Sequence, residues 1–186
     1  MILSFIVTLF PFFFLIILFG GGALFRRKNI NMDGSPPIDK WPFYLSKYSI
    51  VIIWAAMVLQ CWNLNLSPIQ APALLKSVAL FLWFSGFSLL YIGRFGMGTS
   101  FRIGSPKEST SLKTNGLFKF SRNPMYIGVY ATILASVLYT LNPIVLFIGI
   151  FIVVVHHKII LSEEHYLLNV FGKDYRDYCN LVRRYL

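Results

Sequence analysis

Charged residues are scarce in this chain. Only 13% of the 186 residues are Asp, Glu, Lys or Arg, and only seven of them are acidic. Hydrophobic residues make up 56% of the sequence, and the mean hydropathy is +0.66. This composition is too apolar for an ordinary soluble domain and predicts an integral membrane protein.

Cysteine is almost absent. The two cysteines, Cys61 and Cys179, fall on opposite sides of the membrane in the predicted topology, which argues against a disulfide between them. Their spacing does not match a zinc or redox pair, and we predict no metal site.

A glycine-rich nucleotide motif is also lacking. The segment 93–122 contains Gly93, Gly96, Gly98 and Gly104, but these do not fit G-x-G-x-x-G and no predicted strand precedes them. A Rossmann cofactor site is therefore not supported. The segment remains of interest because a polar connection of about 30 residues is long for a compact helical protein, and such loops are often functional.

Long apolar runs dominate what is present. Stretches 1–25, 48–75, 77–93 and 123–155 contain no charged residue. The last would rise about 50 Å as one helix, against a hydrocarbon core of about 30 Å, so Asn142-Pro143 is expected to divide it into a hairpin. We predict five spans at about 1–25, 43–62, 73–94, 124–141 and 143–160. The first is interpreted as a retained span, because its apolar run is too long for a signal peptide.

Basic residues follow the first, third and fifth predicted spans, whereas the loops at 63–72 and at Asn142 carry no charge. The positive-inside rule therefore predicts an external N-terminus and a cytoplasmic C-terminus. Orientation and anionic lipid headgroups account for the net charge of +10 better than nucleic acid does, and no nucleic-acid partner is expected.

Beyond Leu161, apolar residues recur at helical spacing, and Gly172 offers a helix stop. We predict two short amphipathic helices there that lie against the membrane face or cover a cytoplasmic pocket. The predicted fold is thus a single all-α membrane domain over residues 1–186, with about five transmembrane helices and amphipathic C-terminal helices.

Two polar features border this predicted pocket. Asn123 and Pro124 suit the N-cap and first position of the fourth span, whose free amides could receive a carboxylate or phosphate, although capping alone explains them equally well. Glu163 and Glu164 follow the fifth span. They could bind an ammonium, a sulfonium or ribose hydroxyls, or simply form a solvated helix face.

Three motifs in order carry a family resemblance. They are R-x-P-x-Y-x-G at 122–128, E-E-x-x-L at 163–167 and F-G-x-x-Y-x-x-Y at 171–178, preceded by Leu112-Lys113 and Gly116-Leu117-Phe118. Together they resemble the isoprenylcysteine carboxyl methyltransferase family and its phospholipid methyltransferase relatives. The resemblance covers roughly the C-terminal half of the chain, and the first two spans match only as generic apolar helices.

The resemblance implies an S-adenosylmethionine pocket within about 94–186 and a lipophilic or membrane-embedded methyl acceptor. Carried over position by position, the cofactor contacts would be Thr110, Ser111, Leu112, Lys113, Phe118, Asn123, Pro124, Met125, Tyr126 and Glu163. Asn123 replaces a His that is usual in the prenylcysteine enzymes. Ile159 stands where those enzymes have a substrate-binding Arg, which argues against a free prenylcysteine carboxylate as substrate.

The sequence leaves other functions open. The acceptor could be a phospholipid amine, for which His156, His157 or Glu164 could take the proton by proximity, and no catalytic residue is assigned. A sterol-reductase-like enzyme or a non-catalytic membrane protein are the alternatives, although no charged residue lies in the middle of a span to mark a transport path. Membrane lipids are the expected partners, and the oligomeric state is left open.

Overall fold

The computed structural model describes residues 1–27, 35–98, 101 and 111–186. Within these ranges the chain forms six α-helices and a 3₁₀ turn at Gly116–Lys119. The helices are α1 (Ile2–Arg27), α2 (Lys40–Cys61), α3 (Ala73–Met97), α4 (Pro124–Thr140), α5 (Pro143–Phe171) and α6 (Lys173–Leu181). The predicted all-α membrane fold is confirmed.

Four of the described helices, α1, α2, α3 and α5, are long and apolar enough to cross a membrane. The remaining apolar helix, α4, has 17 residues, which corresponds to a length of about 26 Å and falls just short of a typical hydrocarbon core. The chain is therefore a multi-pass membrane protein, and α4 forms the short arm of the predicted hairpin with α5.

The C-terminal region differs from the prediction in one respect. Helix α5 does not end near residue 160 but runs 29 residues without interruption to Phe171, because no Pro or Gly follows Gly149 until Gly172. Of the two amphipathic helices expected there, only α6 is separate. Gly172 ends α5 with φ of +53°, and its N–H donates to the Leu168 carbonyl, as the predicted helix stop requires. Glu163 and Glu164 are thus carried rigidly by a membrane helix.

Helices α3 and α4 pack backbone against backbone. A Cβ atom at Gly86 would lie 2.8 Å from the Gly128 carbonyl oxygen, and one at Gly128 would lie 2.7 Å from that of Gly86. Only glycine at both positions permits this approach, which is typical of helix pairs in membranes. The final glycine of the R-x-P-x-Y-x-G motif therefore serves packing.

Aromatic residues of α1, α2 and α3 fill the core beside this pair. The Trp54 indole N–H donates to Thr132 Oγ1 at 2.9 Å, and the Trp83 indole donates to the Val7 carbonyl at 3.3 Å. Phe87 packs between the two tryptophan rings, at 4.9 Å from each centroid. These bonds pair the polar atoms of large rings inside an apolar bundle, where an unpaired N–H is costly.

The two ends of the bundle are held by different polar contacts. At one end the uncharged loops meet, because Asn142 Nδ2 donates to the Leu66 carbonyl and Ser67 Oγ donates to the Leu141 carbonyl at 3.1 Å. At the other end Ser162 Oγ donates to the Pro37 carbonyl at 2.7 Å. The N–H of Arg122, just before α4, donates to the Arg183 carbonyl at 3.0 Å. The segments that precede α2 and α4 and the C-terminal segment therefore gather at a single end.

Candidate functional site

A cavity of about 520 Å³ opens at this charged end and is lined by residues of all six α-helices. It is lined by nine of the ten residues that the sequence assigned to the cofactor: Ser111, Leu112, Lys113, Phe118, Asn123, Pro124, Met125, Tyr126 and Glu163. Thr110 lies outside the described residues. Residues between positions 111 and 163 are thus brought to one surface.

The side chain of Glu163 is held at the wall of this cavity. Tyr126 Oη donates to Glu163 Oε2 at 3.0 Å. Lys47 of α2 also lines the cavity and attracts the carboxylate electrostatically. The carboxylate is partly buried, so it can still accept a hydrogen bond from a ligand in the cavity.

The carboxylate of the neighbouring Glu164 is paired with other side chains of the protein. Arg184 donates to Glu164 Oε2 from Nε at 3.0 Å and from Nη2 at 2.8 Å. Arg122 Nη2 lies 3.1 Å from Glu164 Oε1. The hydrogen bonds from Arg184 raise the pKa of that guanidinium above its usual value. Glu164 therefore joins α5 to the start of α4 and to the C-terminal segment, and the alternative of a solvated glutamate pair is wrong.

The role of Asn123 also differs from the capping interpretation. Its side chain makes no capping hydrogen bond among the described residues. Instead Nδ2 donates to Glu164 Oε1 at 3.3 Å and to the Arg184 carbonyl at 3.2 Å. Pro124 does occupy the first turn of α4, as predicted. Asn123 thus belongs to the Glu164 network and also borders the cavity.

Helix α6 closes the cavity on one side. Tyr175 and Tyr178 are buried on its inner face and line the cavity, and Tyr178 Oη donates to the Phe118 carbonyl at 2.6 Å. Burial raises the pKa of Tyr178 to about 12, so the phenol stays protonated and keeps this bond at neutral pH. The contact fixes the 3₁₀ turn that carries Phe118.

Two adjacent histidines have different surroundings. His156 is 3% exposed and lines the cavity. His157 faces the other way, where its Nδ1 lies 2.7 Å from Tyr185 Oη. It lines an outer groove, the shallow apolar surface between α4 and α5 that also includes Tyr185 and Leu186.

Ile159 does not contribute to the cavity. It is 1% exposed and packs in an apolar cluster with Phe43 and Val155. Lys47 borders this cluster, and its Nζ lies 3.9 Å from the centroid of the Phe43 ring. None of the motifs in the sequence includes Lys47. Its position one turn after Phe43, inside the second span, was the signal that could have found it.

The sequence of this chain matches a known protein family. The sequence model of the phospholipid methyltransferase family matches residues 71–174, more than half of the chain. The chain belongs to the phospholipid methyltransferase family. No curated protein and no solved structure shows a significant match.

The family match spans α3, α4, α5 and the first residues of α6, together with the loop that precedes α4. It therefore includes the R-x-P-x-Y-x-G and E-E-x-x-L motifs. The predicted kinship with integral membrane methyltransferases is confirmed. Lys47 and Arg184 lie outside the matched phospholipid methyltransferase region, and only the tertiary structure places them at the cavity and in the Glu164 network.

Proposed function

We propose that this protein transfers a methyl group from S-adenosylmethionine to a lipophilic acceptor that reaches the cavity from the bilayer, with a phospholipid amine as the leading acceptor. The observation that carries the proposal is the cavity itself. It joins a polar end, at Glu163 and Tyr126, to an apolar wall supplied by α1 and α2. A water-soluble cofactor and a lipid could therefore meet there.

The residues present fit S-adenosylmethionine in size and chemistry. A cavity of about 520 Å³ lies within the usual range of roughly 300–1,000 Å³ for small-molecule sites. Glu163 can accept hydrogen bonds from ribose hydroxyls or an ammonium, Lys113 can pair with a carboxylate, and Phe118 offers a face for an aromatic base. When bound, the cofactor would supply a methyl group on a positively charged sulfur that is already a good leaving group.

What remains for the protein is to align the reactants and exclude water. Tyr126 fixes Glu163, and the Tyr178 bond to the Phe118 carbonyl holds α6 over the cavity. On the membrane side, apolar residues of α1 and α2 line the route that an acyl chain would occupy: Phe14, Leu15, Leu18, Phe19, Ile50 and Val51. An amphiphile with its nucleophile at headgroup depth satisfies both ends of the cavity.

Two observations support an amine rather than a prenylcysteine carboxylate. The family match is to phospholipid methyltransferases, and the position of the expected substrate-binding arginine is occupied by Ile159, which packs in the core. By the positive-inside rule we place the cavity and the C-terminus on the cytoplasmic side.

The test uses the purified full-length chain in mixed micelles. Calorimetry with S-adenosylhomocysteine should detect binding, and radiolabelled S-adenosylmethionine should deliver its methyl group to phosphatidylethanolamine more efficiently than to a farnesylcysteine analogue. Folded protein that binds no S-adenosylhomocysteine would disprove the cofactor assignment. Preferred transfer to the farnesylcysteine analogue would disprove the amine assignment alone.

A further inference from the structure

We infer that His156 is a catalytic residue that takes a proton from the nitrogen of the acceptor, which makes that nitrogen able to attack the methyl group. The inference rests on the proposed function and goes beyond it, because it assigns a chemical step to one side chain.

The burial of His156 is the first observation. The residue is 3% exposed, yet neither ring nitrogen has a hydrogen-bond partner within the described part of the chain. Buried polar atoms are nearly always paired, since an unpaired one is destabilising. An unpaired imidazole in a cavity wall therefore points to a ligand that supplies the missing partner.

The position of His156 along α5 is the second observation. It precedes Glu163 by about two helical turns, or roughly 10 Å, towards the middle of the membrane helix. Tyr126 connects the two sites, because its hydroxyl donates to Glu163 and its ring meets the His156 ring edge-on, with centroids 5.4 Å apart. His156 is thus placed on the route of a lipid acceptor, next to the end assigned to the cofactor.

The step can be written with its charges balanced. A neutral imidazole has one nitrogen that can accept a hydrogen bond, and it takes a proton from the ammonium headgroup to leave a neutral amine. The nitrogen lone pair then forms the new N–C bond while the C–S bond breaks, and the electron pair of that bond stays on sulfur as a thioether. The product is a methylated ammonium, and the imidazolium releases its proton to water.

The groups around His156 are consistent with a temporary proton carrier. Burial and, to a smaller extent, the positive charge of Lys47 on α2 disfavour the charged imidazolium. The imidazole is therefore neutral before it takes the proton, and the same two effects favour return of the proton. Tyr126 and Tyr130 approach from α4, and Glu163 lies on α5 itself. The carboxylate is bonded to Tyr126, whereas His156 has no such internal partner among the described residues.

His157 provides a matched control, because it is the same residue type on the same helix but bonds to Tyr185 outside the cavity. We would compare His156→Asn with His157→Asn. Asparagine retains a hydrogen-bond acceptor but cannot carry the proton. A third variant, His156→Phe, removes the unpaired nitrogens and keeps a ring of similar size.

Methyl transfer to phosphatidylethanolamine in mixed micelles is the primary measurement. Both His156 variants should lose about a hundredfold or more in kcat, the lower range for general base catalysis. His157→Asn should keep kcat within about twofold, and all three variants should keep the S-adenosylhomocysteine affinity. The thermal unfolding temperature of His156→Phe should be equal to or above that of the unchanged protein, because a buried unpaired polar group has been removed.

Unchanged kcat in either folded His156 variant would overturn the inference while leaving the proposed function intact. A fall in unfolding temperature and S-adenosylhomocysteine affinity that accompanies the loss of kcat would instead show a structural role, and would also overturn it. If the unchanged protein binds no S-adenosylhomocysteine and transfers no methyl group, the proposed function fails first.

Discussion

Tyr126 and Glu163 lie 37 positions apart in the chain, yet the tyrosine hydroxyl donates to the glutamate carboxylate at 3.0 Å. The bond joins the R-x-P-x-Y-x-G motif to the E-E-x-x-L motif, across the α4–α5 hairpin. It explains why two short motifs, each weak alone, are informative together: both belong to one wall of one cavity.

Removing the charge of Glu163 should weaken cofactor binding. A lost charge-assisted hydrogen bond corresponds to about 1.5–3 kcal/mol, or roughly a tenfold to hundredfold loss of affinity. We expect Glu163→Gln to show this loss in calorimetry with S-adenosylhomocysteine. Asp177→Asn, which neutralises an exposed acid on α6, is the control and should bind normally. Equal affinities in the two variants would place Glu163 outside the cofactor site.

Glu164→Gln should act mainly on stability. Glu164 is 13% exposed and pairs with two arginines, so the variant leaves partly buried guanidinium groups without their anion. We expect a loss of about 1–3 kcal/mol in the free energy of unfolding, measured by denaturant titration in micelles, with a smaller effect on S-adenosylhomocysteine affinity than Glu163→Gln has. The reverse ranking of the two variants would exchange the roles of the two glutamates.

The α3–α4 contact predicts a large effect from a single methyl group. In Gly86→Ala the new Cβ would meet the Gly128 carbonyl at 2.8 Å, so the helices must separate and the unfolding temperature should fall. Gly96→Ala on the same helix has nothing within 4 Å and should be neutral or slightly stabilising, since alanine is the better helix former. Similar unfolding temperatures for both would mean that the helices are not so close.

The orientation can be tested by cysteine labelling in a background without Cys61 and Cys179. Ile69 lies in the uncharged loop and Asn180 lies on α6, and both are exposed. From the distribution of basic residues we expect Asn180→Cys to react from the cytoplasm and Ile69→Cys from the opposite side. The opposite labelling pattern would invert the orientation and move the cavity to the other face.

The position of Ile159 changes an expectation that the sequence alone suggested. If it faced substrate, Ile159→Arg would create a carboxylate site and improve methylation of a farnesylcysteine analogue. Because Ile159 packs against Phe43 and Val155, we expect instead a buried unpaired charge and a loss of stability on the order of 3–5 kcal/mol. Ile159→Leu should be nearly neutral. A stable Ile159→Arg protein with faster turnover of the analogue would contradict the burial of Ile159 in this cluster.

Local properties of the chain were sufficient to predict much of the fold and part of the cavity lining. Apolar length and charge located the helices, Asn142-Pro143 marked the hairpin, and Gly172 marked the end of α5, because hydropathy and backbone preferences act over a few neighbouring residues. The resemblance also located nine of the residues that line the described cavity. These features do not depend on how the helices are rotated against one another.

Only the tertiary structure showed that the adjacent residues Glu163 and Glu164 have different contacts, and that the same is true of His156 and His157. Adjacent residues on a helix point about 100° apart, so the packing of α2, α4 and α6 around α5 gives them different neighbours. Both glutamates line the cavity, but Glu164 is paired with two arginines, and of the two histidines only His156 lines it. The same packing brought Lys47 to the cavity and Arg184 to Glu164, although neither belongs to a motif. A sequence pattern can place such residues on a helix, but the contacts that give them a role come from other segments of the chain.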